Sequence, residues 1–287
     1  MVNFKKIMNF INVKFFLHVN YSFFSIIFIF FLSFKFDLLS EDTDFDKYAL
    51  FASTAKRGDS ATPVDTKLPL EFKKDDRIAL IGNTLFDRMR DYGYFESIIQ
   101  QSHPNLNLVI RNLAWSADEI DLQPRPDNFA DTEQHLTAMK ADIIIAAFGF
   151  NESFAGEKHL SSFKTRLSKY LLNIRSKSYN SQSPPQVVLV SPIANENVPG
   201  VDAAKLNNSN IKAYTEAMRL VAKEQNVGFV DTFTKIAAEM AREKSALTIN
   251  GSHLNSLGYS KFSDILFEGL TNKKTQIINE DVREAVL

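Results

Sequence analysis

Two side chains in this sequence, Thr84 and His253, are of the types that perform nucleophilic chemistry as a pair. Thr84 lies in "RIALIGNTLFDRM" (residues 77–89), where an apolar run ends in Gly82-Asn83-Thr84 and a helical pattern begins. An α/β hydrolytic enzyme would present a nucleophile at such a strand-to-helix turn. His253 lies far downstream in "NGSHLNSLGY", between the last strand-like run and a final helical pattern. A hydroxyl is a poor nucleophile until a base takes its proton, and imidazole, with a pKa near 6.5, does so at neutral pH. The chemistry such a pair supports is acyl transfer. Thr84 also suits a helix N-cap, a role worth about 1 kcal/mol, so its position reads two ways.

The elements that must position these residues are legible as alternating patterns. Short Val/Ile-rich runs predict strands at 77–82, 107–112, 142–148, 186–191 and 227–231. Helical patterns fall near 84–101, 131–140, 153–178, 204–226, 232–244 and 255–270. Strands without polar alternation, separated by helices, imply a parallel sheet buried on both faces. The fold class expected is therefore a three-layer α/β/α, flavodoxin-like domain of about five strands. Sites in such sheets form at the carboxyl ends of the strands. The loops expected to carry the chemistry are 82–85, 113–118, 149–152 and 191–197.

Those loops hold, in order, "IGNTL", "RNLAWSADEI", "AFGFNESF" and, after the fifth strand, "LTINGSHLNSLGY". The set resembles the SGNH (GDSL-type) hydrolase superfamily, in a variant with Gly-Asn-Thr in the nucleophile block. The resemblance spans about residues 75–270. It places Thr84 where the family has its serine and His253 as the general base, with Asn250 where the family has an aspartate. It implies an oxyanion hole formed by the backbone N–H of Thr84, the backbone N–H of Ala117 (a glycine in the family) and the side chain of Asn151. Three of the four blocks depart from the family pattern, at Asn83-Thr84, Ala117 and Asn250. Because the Ala117 donor is main chain, alanine keeps it; the added methyl matters only if the backbone needs φ > 0 or the substrate passes very close. An amide at 250 can orient the imidazole but brings no charge; Asp231, in "FVDTF", is either a substitute acceptor or the N-cap of the next helix.

Around the site, the Pro-containing segment 119–134 should shape a pocket. Arg125, Asp127 and Asn128 are placed to hydrogen-bond a polyhydroxylated ligand. Trp115 and Phe150 either stack on sugar rings or pack the core beneath the loop, and Asn195 with its neighbours extends the rim. "RGDS" at residues 57–60 contains a literal Gly-Asp-Ser, but without a preceding strand it reads as chance.

The 287 residues carry 33 basic and 34 acidic side chains and no cysteine. Balanced charge argues against a nucleic-acid partner, and the lack of cysteine removes disulfides and thiolate chemistry. The histidines lack metal-ligand spacing, so neither metal nor cofactor is expected. Tyr21–Phe34 is an uncharged apolar stretch preceded by Lys5, Lys6 and Lys14 and followed by acidic residues. That pattern fits a signal peptide or signal anchor over 1–39, hence export and possible membrane anchoring. Residues 40–75 read as a linker or loosely draped lead-in and 76–287 as the hydrolase domain. The function expected is an exported esterase acting on a carbohydrate or small-acyl ester. The alternative is a silent module of the same fold that binds a glycan or a protein partner.

Overall fold

A computed structural model describes residues 50–287. The signal or anchor reading of residues 1–39 lies outside the described residues, as does the start of the lead-in. Among the described residues no helix is long and apolar enough to cross a membrane.

The central sheet has five strands: β1 (Arg77–Gly82), β2 (Val109–Asn112), β3 (Ile143–Ala147), β4 (Gln186–Val190) and β5 (Gly228–Val230). All neighbours pair in parallel, in the order β2-β1-β3-β4-β5. This is the flavodoxin-like order, with its switch point between β1 and β3. The helices are α1 (Thr84–Asp87), α2 (Tyr94–Ser102), α3 (Thr132–Met139), α4 (Phe150–Ser153), α5 (Leu160–Arg175), α6 (Ala203–Glu224), α7 (Thr232–Arg242), α8 (Ser256–Thr271) and α9 (Glu280–Val286).

Why these runs form strands is visible in the side chains. Alternate residues of the three inner strands, β1, β3 and β4, enter two separate cores. Ile78, Leu80, Ile143, Ile145, Val188 and Val190 pack with Phe95, Ile98, Phe262 and Leu266 of α2 and α8. Ala79, Ile81, Ile144, Ala146, Val187 and Leu189 pack with Phe163, Leu167, Tyr214 and Met218 of α5 and α6. A strand with two buried faces has no polar alternation to show. Each such large apolar side chain contributes about 1.5–3 kcal/mol by burial.

Two expectations are corrected. Residues 50–75 are folded onto the domain and do not form a loose lead-in. The Ala52 N–H donates to the Asn128 carbonyl at 2.8 Å. Asp59–Ser60, inside the "RGDS" stretch, pairs antiparallel with Lys177–Ser178. The buried Thr66 hydroxyl accepts the Val187 N–H at 2.8 Å. These contacts are largely main-chain, which is why a polar composition concealed them. The helix expected over 153–178 is also broken: α4 ends at Ser153, Gly156 takes φ +77°, and Lys177–Ser178 is strand.

Candidate active site

At the carboxyl end of β1 the chain turns within three residues. Gly82 adopts φ +136°, and a Cβ there would lie 2.1 Å from the Ala147 carbonyl oxygen of the neighbouring strand. Only glycine allows β1 and β3 to come this close. Gly82→Ala should cost about 2–5 kcal/mol from backbone strain plus overpacking. Urea unfolding would show this as a lower midpoint with an unchanged slope.

Asn83, 3% exposed, is the N-cap of α1, and its side-chain oxygen accepts the Leu85 N–H at 3.2 Å. Thr84 is therefore the first helical residue and not the cap, so the capping reading of Thr84 is overturned. Its hydroxyl is left half-exposed, accepting only the Ala117 N–H, at 3.1 Å, among the described residues.

Ala117 sits at φ +66°. This is the left-handed region, where glycine is at ease and alanine is strained by about 1–2 kcal/mol. The turn is held by Ser116, whose hydroxyl donates to Asp87 at 2.5 Å. Asn151 follows Gly149, which takes φ +91° with the Met218 sulfur 2.6 Å from its would-be Cβ. Behind Asn151, the Glu152 carboxylate accepts the Gly149 N–H at 2.8 Å and the Ile120 N–H at 3.1 Å. One buried side chain thus ties the loop after β2 to the loop after β3. Burial pushes Glu152 up to about 7, although both N–H donors favour its anion.

His253 lies in a turn built on Asn250. The Asn250 Oδ1 accepts the main-chain N–H of His253 at 2.9 Å and of Ser252 at 3.2 Å. With the oxygen so committed, Nδ2 stands 2.9 Å from His253 Nδ1, and Oδ1 is 3.2 Å away. An amide nitrogen can only donate, so the closer contact makes Nδ1 the acceptor and puts the ring proton on Nε2. Burial first, and the Arg88 charge second, hold the His253 pKa below the usual imidazole value. Asp231 does not stand in for the missing acid: it caps α7 through the Thr234 N–H at 2.9 Å and also pairs with Arg219. Burial alone would raise its pKa, but the Thr234 donors and Arg219 outweigh burial and hold it below the carboxylate range.

Thr84, Ala117, Phe150, Asn151 and His253 all line one cavity of about 270 Å³, floored by Ala147, Pro192, Ile193 and Tyr259. Residues from four separate loops meet here at the carboxyl edge of the sheet. Residues 82–261 match the GDSL-like Lipase/Acylhydrolase family. The chain belongs to that family. No curated protein matches it. Among solved structures, a protein described as a GDSL-like lipase from Parabacteroides merdae ATCC 43184 superposes with a TM-score of 0.55 at 15% identity, over 70% of this chain and 97% of that one. A catalytic variant of an acetylxylan esterase from Geobacillus stearothermophilus gives 0.54 at 18% identity, over 70% and 96%. A second acetyl xylan esterase gives 0.51 at 14%, over 68% and 99%. These likenesses show that the GDSL-like fold is shared.

Within this GDSL-like domain the expected rim is only partly present. Phe150 is at the cavity and meets Phe154 edge-on at 5.3 Å between centroids. Trp115 is outside the cavity lining and borders a neighbouring hollow of about 90 Å³. Its ring is covered on one side by the Arg125 guanidinium at 4.5 Å and meets Phe129 edge-on at 5.5 Å. Arg125 is not available for a ligand as expected, since both its terminal nitrogens bind Asp118, at 2.9 and 2.6 Å. Asn195 is not on the rim at all: it is 2% exposed, and neither amide atom has a hydrogen-bond partner. The main-chain bonds of Asn195 to Asn208, at 2.7 and 2.9 Å, draw it inward under α6. Glu152, adjacent to the Asn151 block, and Asn83, inside the nucleophile block, were given no role of their own by the sequence.

Proposed function

We propose that this GDSL-like protein is an esterase that removes a small acyl group, such as acetyl, from a hydroxylated substrate. The observation that carries the reading is the shared cavity. A hydroxyl, an imidazole and three oxyanion donors border a space large enough for a short acyl chain. In this mechanism Thr84 Oγ1 attacks the ester carbonyl while His253 Nε2 takes its proton. The same imidazolium then returns the proton to the departing alcohol, leaving an acyl-threonine that water hydrolyses. The oxyanion is received by the Thr84 N–H, which has no partner among the described residues, by the Ala117 N–H and by the Asn151 amide. The Ala117 N–H already points at the attacking oxygen, so it needs only a short transfer to the new oxyanion. Each such donor is worth about 10²–10³ in rate. For Nε2 to serve as base, the ring proton must move to Nδ1 and be accepted by Asn250 Oδ1, the 3.2 Å contact.

The acetylxylan esterases of similar fold support a carbohydrate ester as the substrate class. Export, with or without anchoring by residues 1–39, fits this role. A second reading has one observation in its favour: with Nδ2 donating to Nδ1, His253 is a hydrogen-bond donor toward the cavity, as in a binding module without turnover.

The test is hydrolysis of a small activated acetyl ester by the full-length chain, with mass spectrometry of the quenched reaction. Turnover with an acetyl group trapped on the peptide containing Thr84 is the expected result. A folded protein that gives neither turnover nor adduct supports the binding module.

A further inference from the structure

The loop that carries His253 is held from a different loop by one carboxylate. Glu196, beyond β4, uses Oε2 to accept the Leu247 N–H at 3.0 Å, the Thr248 N–H at 3.0 Å and the Thr248 hydroxyl at 2.8 Å. Its Oε1 takes a fourth, longer contact from the Leu247 N–H at 3.2 Å. The main chain of Glu196 joins in, its N–H donating to the Gly251 carbonyl at 2.8 Å. Thr248 passes the connection on, since its hydroxyl oxygen accepts the Gly251 N–H at 3.0 Å. Gly251 lies inside the Asn250–His253 turn, at φ +85°, and a Cβ there would be 2.7 Å from the Glu196 carbonyl oxygen. The chain of contacts therefore runs from Glu196 through Thr248 and Gly251 to the turn that aims the imidazole.

We propose that Glu196 is a positioning residue for His253, a role resting on the esterase reading of the same cavity. Asn250 is exposed and uncharged, so the turn has no carboxylate of its own to fix it against the rest of the site. Glu196 supplies that anchorage from the β4 loop. Its effect is geometric: it does not touch the ring, and it acts through the main chain of residues 247–251. Because Oε2 makes three of the four side-chain contacts, a glutamine with its carbonyl oxygen at that place keeps them. Alanine loses all four. Both substitutions remove the charge, so the pair separates position from electrostatics.

The experiment compares the full-length wild type with Glu196→Ala, Glu196→Gln and Thr248→Val. It combines acetyl-ester kinetics with NMR of the His253 ring and of the 247–251 amides. A displaced base of this kind costs up to about 10²-fold in rate. Glu196→Ala should lose about 10–100-fold in kcat with KM within about twofold, whereas Glu196→Gln stays within about threefold of wild type. Thr248→Val should lose less than Glu196→Ala, and the double variant should be no worse than Glu196→Ala alone, as for residues acting through one path. In Glu196→Ala the His253 ring signals should shift and the Leu247 and Thr248 amides exchange faster; Glu196→Gln should leave both as in wild type. Equal losses for alanine and glutamine, or unchanged ring signals in Glu196→Ala, would overturn the proposal. If the wild type turns over no ester, the esterase reading fails, and the NMR comparison alone decides whether Glu196 sets the ring. Should Glu196→Ala fail to fold, a Thr248→Val variant with unmoved ring signals would overturn it instead.

Discussion

Asn250→Asp is expected to raise kcat by about 10²–10⁴-fold on any ester that the wild type turns over. An aspartate in the same turn keeps one oxygen for the His253 and Ser252 N–H groups, at 2.9 and 3.2 Å in the present arrangement. Its second oxygen takes the place of Nδ2, 2.9 Å from His253 Nδ1. That oxygen can only accept, so the ring proton moves to Nδ1 and Nε2 becomes free to take the Thr84 proton. In serine proteases the reverse change, aspartate to amide, costs about 10⁴ in kcat through the wrong tautomer. The pH profile offers a second check with a definite sign. Burial and Arg88 hold the wild-type His253 pKa low, so its neutral form persists below the ordinary range. A carboxylate beside the ring favours the imidazolium, so the acid limb of kcat/KM should move to higher pH in the variant. If the rate and the limb both stay where they were, the tautomer is not what limits the enzyme.

Thr84→Ala and Thr84→Ser should move activity in opposite directions while leaving stability nearly alone. On the proposed mechanism alanine removes the attacking oxygen, and kcat should fall by about 10³-fold or more, to what binding and the oxyanion donors alone provide. Serine keeps the oxygen and removes the β-methyl that stiffens χ1, so the rate should hold or rise. The structural reason to expect small changes in Tm is that α1 is capped by Asn83. A lost cap costs about 1 kcal/mol, whereas a half-exposed first-turn residue away from such features falls within about 0.5 kcal/mol. Thermal melts beside the kinetics would therefore separate the two roles that threonine can play at such a turn. Full turnover by Thr84→Ala would remove Thr84 from the mechanism.

Much of this was written in the sequence, for physical reasons that also explain the remainder. The inner strands, buried on both faces, leave uninterrupted apolar runs, and the edge strands keep short ones, so all five sheet strands were legible to within two residues at either end. The loops at their carboxyl ends followed from parallel connectivity, and Thr84, Ala117, Asn151 and His253 do meet. What spacing cannot tell is which of two adjacent residues caps a helix, when both Asn83 and Thr84 are good caps. Nor does residue type reveal where a polar loop side chain points: Asn195 has the chemistry of a rim residue and is buried. Arg125 has the chemistry of a ligand donor and is spent on Asp118. Main-chain contacts leave no compositional trace, so the docking of residues 50–66 and the Glu196 clamp were both illegible. Helix α9 escaped because its seven residues are mostly exposed. It is fixed to α2 by polar bonds, such as the Asn279 N–H to the Gln101 side chain at 2.9 Å.

The left-handed Ala117 has a consequence for how sharply the proposed oxyanion site is tuned. A glycine at that turn has a wide basin and its mirror image open to it, so its N–H can swing through a broad arc. An L-residue at φ +66° occupies a small island of allowed backbone with forbidden ground on its sides. The Ala117 N–H therefore samples a narrow cone of directions about the Thr84 hydroxyl. Conformational freedom that a glycine would surrender whenever a ligand engages that N–H has already been given up here during folding, making Ala117 a stiffer and less adaptable donor.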